Sequence, residues 1–277
     1  MRLRIAGLFA AVGLALTACG GGGTEAAEDP EAPIKVGASP TPHAEILEFV
    51  DRELAPKAGI DIEQFSDYNR PNDALRNGEL DANYFQHKPF LEKYKNERGG
   101  EFVWVADVHL EPLGVYSNKH QDLDSLPDGA KITVPNDPSN LARSLKLLES
   151  NGLIELKPGV GENATVRDIA ENPKDLKIQT LAADQLPRTV QEADLAVVNG
   201  NYAIKSGLTN PLVLESADDN PYTNGLVSSP QMADDPRVQK LGELLRSQEV
   251  KDFINQKYGG VAVIPGACAD HAFPERP

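Results

Sequence analysis

The sequence predicts an α/β fold, and three observations carry the prediction. From Ile34 onward, short β-rich runs alternate with stretches of helical periodicity, the pattern of an α/β protein with parallel-type sheets rather than an all-β sandwich. The 277 residues, 40% of them hydrophobic and 25% charged, suffice for about two domains or two lobes. Polar and aromatic residues gather at the carboxyl ends of the predicted strands, where open α/β sheets place their ligands.

Residues 1–18 precede the fold. Arg2 and Arg4 lead into an apolar run from Ile5 to Leu16 and then to small residues at Thr17-Ala18, the three regions of a signal peptide. That run is too short to cross a ~30 Å hydrocarbon core, and no later segment approaches the ~20 apolar residues a spanning helix needs. Leu16-Thr17-Ala18-Cys19 resembles a bacterial lipobox, which makes Cys19 the expected lipidation site and first residue of the mature chain. An ordinary secretory signal with a chance cysteine is the alternative. Residues 19–33, with the Gly-, acid- and Pro-rich run from Gly20 to Pro33, read as a flexible tether.

The first strand is expected at Ile34 to Ala38. A helix follows, with Thr41 as N-cap, Pro42 in its first position, Ile46, Leu47, Val50 and Leu54 on one face, and Gly59 as its close. Further strands are expected at Ile60 to Phe65, Ala82 to Gln86, Phe102 to Val108, Lys131 to Pro135, Leu176 to Leu181, Ala193 to Val198 and Leu212 to Leu214, with helices in most of the gaps. Four of them run into polar or aromatic clusters: Ser66-Asp67-Tyr68, Gln86-His87, Asn136-Asp137 and Asn199-Gly200-Asn201-Tyr202.

After Asn136, Asp137 can cap a helix, Pro138 suits its first turn, and Leu141, Leu145 and Leu148 face the core. Arg143 projects from the opposite side, close enough to the helix N-terminus to bind a carboxylate bidentately. A solvated surface arginine is the alternative. Phe85 and His87 share one side of an extended segment. With Tyr68 they could wall an aromatic pocket for an apolar or thioether chain, since sulfur packs well on ring edges. Core aromatics and a hydrogen-bonded core histidine are the bland alternative.

Other classes find little support. Lys plus Arg number 27 against 42 Asp plus Glu, a net charge of -15 that argues against a nucleic-acid binder. Two cysteines provide no disulfide framework. The sequence has no G-x-S-x-G elbow, H-E-x-x-H, Walker loop, G-x-G-x-x-G or C-x-x-C. The five histidines show no short metal-ligand spacing, which leaves only a distributed zinc site open. Cys268, beside Asp270 and His271 in a polar tail, reads as a free thiol rather than a nucleophile.

Six segments together resemble the NlpA-type methionine-binding lipoproteins, the substrate-binding components of methionine ABC importers. They are FSDYNRPNDAL (from Phe65), DANYFQHKPFL (from Asp81), EPLGVYSNK (from Glu111), ITVPNDPSNLARSLKLL (from Ile132), ADLAVVNGNYA (from Ala193) and NPYTNGLVSS (from Asn220). The resemblance implies two α/β lobes of the periplasmic-binding-protein kind with the ligand in the cleft between them. Residues 34–115 and 225–277 would form the first lobe and 116–224 the second. It further implies that Arg143 clamps the ligand carboxylate, Asn199 and Asn224 hold its polar backbone, and Tyr68, Phe85 and His87 enclose its side chain. Asn201 and Tyr116 are weaker candidates. The chain departs from the family pattern at Val227-Ser228-Ser229-Pro230, where an arginine is expected, and in its extension past Ile264-Pro265.

The implied protein is not an enzyme and needs no cofactor or resident metal. It captures methionine, L by default, delivers it to a permease with its ATPase, and is held by lipid, palmitate included, on the extracytoplasmic face of the cell membrane. A methionine-containing dipeptide or another small amino acid is the nearest alternative ligand. From a different class, a lipoprotein enzyme or metal carrier using His87 with acids competes.

Overall fold

The computed structural model describes residues 32–55, 59–259 and 263–266. The expected signal peptide, Cys19, nearly all of the tether and Cys268 lie outside the described residues. In chain order the strands are β1 (Ile34–Ala38), β2 (Ile60–Gln64), β3 (Ala82–His87), β4 (Val103–Leu110), β5 (Gly114–Tyr116), β6 (Lys131–Pro135), β7 (Glu155–Leu156), β8 (Ile169–Glu171), β9 (Lys177–Leu181), β10 (Leu195–Val198), β11 (Val213–Leu214), β12 (Thr223–Ser228) and β13 (Ile264–Pro265). The helices are α1 (Glu45–Phe49), α2 (Arg70–Arg76), α3 (Lys88–Arg98), α4 (Pro138–Ser150), α5 (Leu186–Thr189), α6 (Gly200–Lys205), α7 (Pro236–Leu245) and α8 (Gln248–Tyr258).

Two sheets organise the molecule as two lobes. The first has the order β13-β4-β12-β3-β1-β2 and the second β11-β5-β10-β6-β9; β7 and β8 form a separate ribbon. Each sheet has its own core. Val36, Ala38, Ile46, Leu47, Val50, Tyr84, Leu226 and Leu245 pack in the first, and Leu113, Ile132, Val134, Leu145, Leu148, Leu195 and Val197 in the second.

The expectation of parallel-type sheets needs correcting, because both sheets are mixed. Strand β1 pairs in parallel with β2 and β3, and β6 with β9 and β10, whereas β12, β13, β5 and β11 pair antiparallel. For β5 and β12 the cause lies in how the chain changes lobes. It leaves the first sheet after β4, crosses at residues 111–113, and returns after β11 along residues 215–222. A strand entering from the other lobe starts at the cleft end, so it runs opposite to the strands that finish there. Those finishing strands, β2, β3, β6 and β10, carry their following residues toward the cleft.

The helix after β1 starts as expected in one respect. Thr41 is extended (φ -134°, ψ 135°), as an N-cap should be, but its hydroxyl meets the Glu45 side chain at 2.7 Å and makes no cap bond to backbone. Helical backbone continues through Val50–Leu54, and Gly59, at φ +66°, sits just ahead of β2. Around α4 the expectation holds closely: Asp137 accepts from Asn140 N at 2.9 Å, Pro138 opens the helix, and Leu145 and Leu148 are fully buried.

Candidate functional site

At the meeting of the strand ends, a small cavity of about 20 Å³ is lined by Tyr68, Phe85, Gln86, His87, Phe90, Glu111, Asn140, Arg143, Asn199, Gly200 and Asn224. That volume holds about one water, so the cleft stands closed. All six of the principal residues singled out from the sequence, 68, 85, 87, 143, 199 and 224, line it. The two weaker candidates do not. Asn201 accepts the Tyr68 hydroxyl at 2.6 Å from outside the lining, and Tyr116 packs with Leu186, Val198 and Tyr202.

The apolar wall comes from β3 and the start of α3. Phe85 is buried, Phe90 meets it edge-on at 5.8 Å between centroids, and Tyr68 contacts Phe85, Phe90 and Tyr202 at 6.1, 5.8 and 5.1 Å. His87 both lines the cavity and caps α3. Its Nδ1 accepts from Phe90 N at 3.2 Å, so its Nε2 carries the proton and donates to Asn140 Oδ1 at 3.2 Å. Burial, reinforced by the nearby Arg143 charge, lowers this imidazole to about 3 and keeps it neutral.

Arg143 is buried, not solvated, and most of its donors are engaged. Nε donates to both Glu215 oxygens at 2.9 and 3.1 Å, and Nη2 donates to Glu215 Oε2 and, at 2.9 Å, to the Glu111 carbonyl. The guanidinium carbon lies 4.2 Å from the Tyr222 ring centroid, a cation–π contact. Among the described residues no hydrogen-bond partner falls to Nη1. One side of the fork is thus anchored, and Arg143 also lines the cavity.

The same lining holds an acceptor with nothing to accept. Asn199 Nδ2 donates to Asn140 Oδ1 at 3.1 Å, while its buried Oδ1 has no partner. Buried polar atoms are normally paired, so such an atom marks where a donor belongs. Asn140 Oδ1 receives both His87 and Asn199 and therefore ties the lobes together. Asn224 Oδ1 faces His43 Nε2 at 3.3 Å.

Sequence reasoning missed Glu111, Asn140, Glu215 and Tyr222. Glu111 is buried, with His109 Nε2 at 2.8 Å from Oε1, His43 Nε2 at 3.3 Å and Asn201 N at 2.8 Å from Oε2. Burial raises its carboxyl above the usual range and lowers His43 and His109 to about 4 and about 3. A signal existed for two of the missed residues. Glu111 lies three residues past the expected strand end at Val108 and directly after the observed end at Leu110, and Asn140 lies in the capped turn.

Comparison with known proteins settles the family. Residues 34–267 match the family model described as NlpA lipoprotein. The chain belongs to the NlpA lipoprotein family. Among its relatives is the D-methionine-binding lipoprotein MetQ of Escherichia coli O157:H7, 43% identical over an aligned length of 267, covering 92% of this chain and 96% of the relative. A nutrient binding protein from Burkholderia cenocepacia, solved bound to methionine, is 42% identical with a TM-score of 0.81, covering 84% of this chain and 100% of that one. A periplasmic substrate-binding protein of an ABC transporter from Coxiella burnetii is 40% identical with a TM-score of 0.79, over 84% and 100%. The NlpA lipoproteins are substrate-binding proteins rather than enzymes, and the two-lobed fold agrees with that.

Proposed function

We propose that this chain captures methionine as its zwitterion between the lobes and delivers it to an ABC importer permease. The single observation that carries the reading is a pair of complementary groups among the residues that line one cavity. Arg143 keeps an unengaged Nη1 donor, and Asn199 keeps an unengaged, buried Oδ1 acceptor. A free amino acid has a carboxylate for the first and an ammonium for the second. Glu111, on the same wall, supplies the ammonium's counter-charge. The ring-lined side formed by Tyr68, Phe85, His87 and Phe90 suits an unbranched thioether. Asn224 holds the ligand's polar end from the first sheet.

The closed cleft admits an amino acid only after the lobes part. Bending belongs at the two crossings, residues 111–113 and 215–222, close to the expected bounds at 115 and 224, so all of β5 moves with the second sheet and all of β12 with the first. Arg143, Asn140 and Asn199 then travel with the second sheet, and Phe85, His87 and Asn224 with the first. Ahead of them, residues 1–18 act as a signal peptide and Cys19 carries the lipid, holding the body on the extracytoplasmic face of the membrane.

Isothermal titration of the ligand-stripped protein with L-methionine, D-methionine, a methionine dipeptide and alanine tests the reading. Methionine in at least one enantiomer should bind one per chain, with alanine far weaker. Equal heats for all four would overturn it.

A further inference from the structure

Behind the amino-acid cleft lies a second constellation. His43, on the helical stretch after β1, and His109 and Glu111, at the end of β4, are 1%, 0% and 6% exposed. One ligand atom from each lies within 4.8 Å of the other two. Glu111 Oε1 is 2.8 Å from His109 Nε2 and 3.3 Å from His43 Nε2. Donors bound at 2.0–2.1 Å to a tetrahedral zinc stand ~3.3 Å apart. Two of the three spacings, 2.8 and 3.3 Å, are thus close to that of one face of such a site, and the two imidazole nitrogens, within 4.8 Å of each other, would close in around an ion.

Two more features point the same way. A buried carboxylate is costly without a cation, yet among the described residues no Lys or Arg side chain contacts the Glu111 carboxylate; Arg143 reaches only its backbone carbonyl. The donors around it, His43, His109 and Asn201 N, are neutral. Behind His109, the Tyr84 hydroxyl is hydrogen-bonded to Nδ1, the outer support that metal-bound imidazoles usually have. Asn224 Oδ1, 3.3 Å from His43 Nε2, is a further oxygen beside the cluster.

We propose that His43, His109 and Glu111 form a binding site for a divalent first-row metal ion such as zinc, reached through the amino-acid cleft. The residues would supply two neutral imidazole nitrogens and one carboxylate oxygen, a donor set that suits zinc.

The test uses the full mature protein after chelation, titrated with zinc alone by equilibrium dialysis and with cobalt(II) by visible absorption. Wild type should take up one zinc per chain, and cobalt should give tetrahedral ligand-field bands. Tyr84→Phe keeps all three donors and removes only the outer support, so it should weaken binding by about 10- to 100-fold. His109→Gln and Glu111→Gln should weaken it further. His120→Gln and Cys268→Ser, outside the cluster, should change nothing. No zinc uptake by wild type, cobalt without tetrahedral bands, uptake unaltered in His109→Gln and Glu111→Gln, or loss with Cys268→Ser would each overturn the proposal. Methionine should displace the metal, because both need Glu111. Simultaneous binding of both would leave the metal site standing and overturn the placement of the ligand ammonium against Glu111.

Discussion

Replacing Arg143 separates its structural role from its role in binding. Arg143→Ala leaves the Glu215 carboxylate, only 14% exposed, without its partner, and removes the bond to the Glu111 carbonyl and the stack on Tyr222. Breaking one side of a buried ion pair costs about 3–5 kcal/mol. For a chain of this size that is a drop of roughly 6–20 °C in Tm. Binding should suffer separately, because the ligand carboxylate would be desolvated with no charge to meet it, a loss of about 2–5 kcal/mol or about 30-fold to several thousandfold in Kd. The double variant Arg143→Ala with Glu215→Ala removes the stranded carboxylate as well. It should recover much of the stability and none of the affinity, whereas Arg143→Lys should recover part of the affinity without the planar fork. Thermal melts and methionine titrations on the same samples measure both effects. A Kd within about threefold of wild type in Arg143→Ala, alongside the fall in Tm, would show that the arginine serves Glu215 alone and refute its place in the site.

Three further outcomes follow. Native His43, His87 and His109 titrate at about 4, 3 and 3, well below the unfolded value of ~6.5, so the unfolded chain takes up protons first. Stability should be fully present above pH ~6.5 and fall on acidification by about 2 kcal/mol per imidazole at pH 5, partly offset by Glu111, whose raised pKa acts in the opposite sense; a Tm independent of pH between 7 and 5 would contradict this. Gly200→Ala puts a Cβ 2.8 Å from Glu111 Cβ and 3.4 Å from the Pro112 carbonyl, which should cost about 1–3 kcal/mol in stability and weaken methionine in titration, while an unchanged variant would mean Glu111 is free to move. Norleucine should bind about 0.3–1.5 kcal/mol less well than methionine, with alanine lower by a further 2 kcal/mol or so; calorimetry giving a flat ranking would argue against an aromatic thioether pocket.

Much of the fold was legible because its parallel strands are short, apolar and bounded by polar residues. Ile34–Ala38 and Lys131–Pro135 were placed to the residue, and Asp137-Pro138 announced α4 correctly. The strand at Thr223–Ser228 was not legible. Its Asn224-Gly225 pair has the composition of a tight turn, yet the glycine serves packing, since a Cβ there would lie 2.2 Å from the Trp104 ring and 2.3 Å from the Ala106 carbonyl. Strand β5 was lost for a similar reason: Gly114 clears space for the Tyr116 ring, which its Cβ would meet at 2.4 Å. Antiparallel pairing depended on where the chain changes lobes, and local periodicity carries no information about that.

The site divides along the same line. Residues expected after strands, Tyr68, His87 and Asn199, stood out by position, as did Arg143 on its capped helix, and the family resemblance supplied their roles. Their partners did not. Glu215 lies 72 residues from Arg143 and Asn140 lies 59 from Asn199. His43 meets Asn224 across 181 residues. Glu215 and Tyr222 sit on the return crossing, a segment with no periodicity to read. The arginine's charge was visible, but the carboxylate that holds half of its fork came only from tertiary contact.

Calorimetric titration of methionine into ligand-stripped wild-type protein, repeated with Asn199→Ala, tests the central claim most directly. One methionine per chain is expected, with affinity reduced about tenfold or more in the variant because the ammonium loses its acceptor. Failure of both methionine enantiomers to bind wild type, or equal affinity in Asn199→Ala, would contradict it.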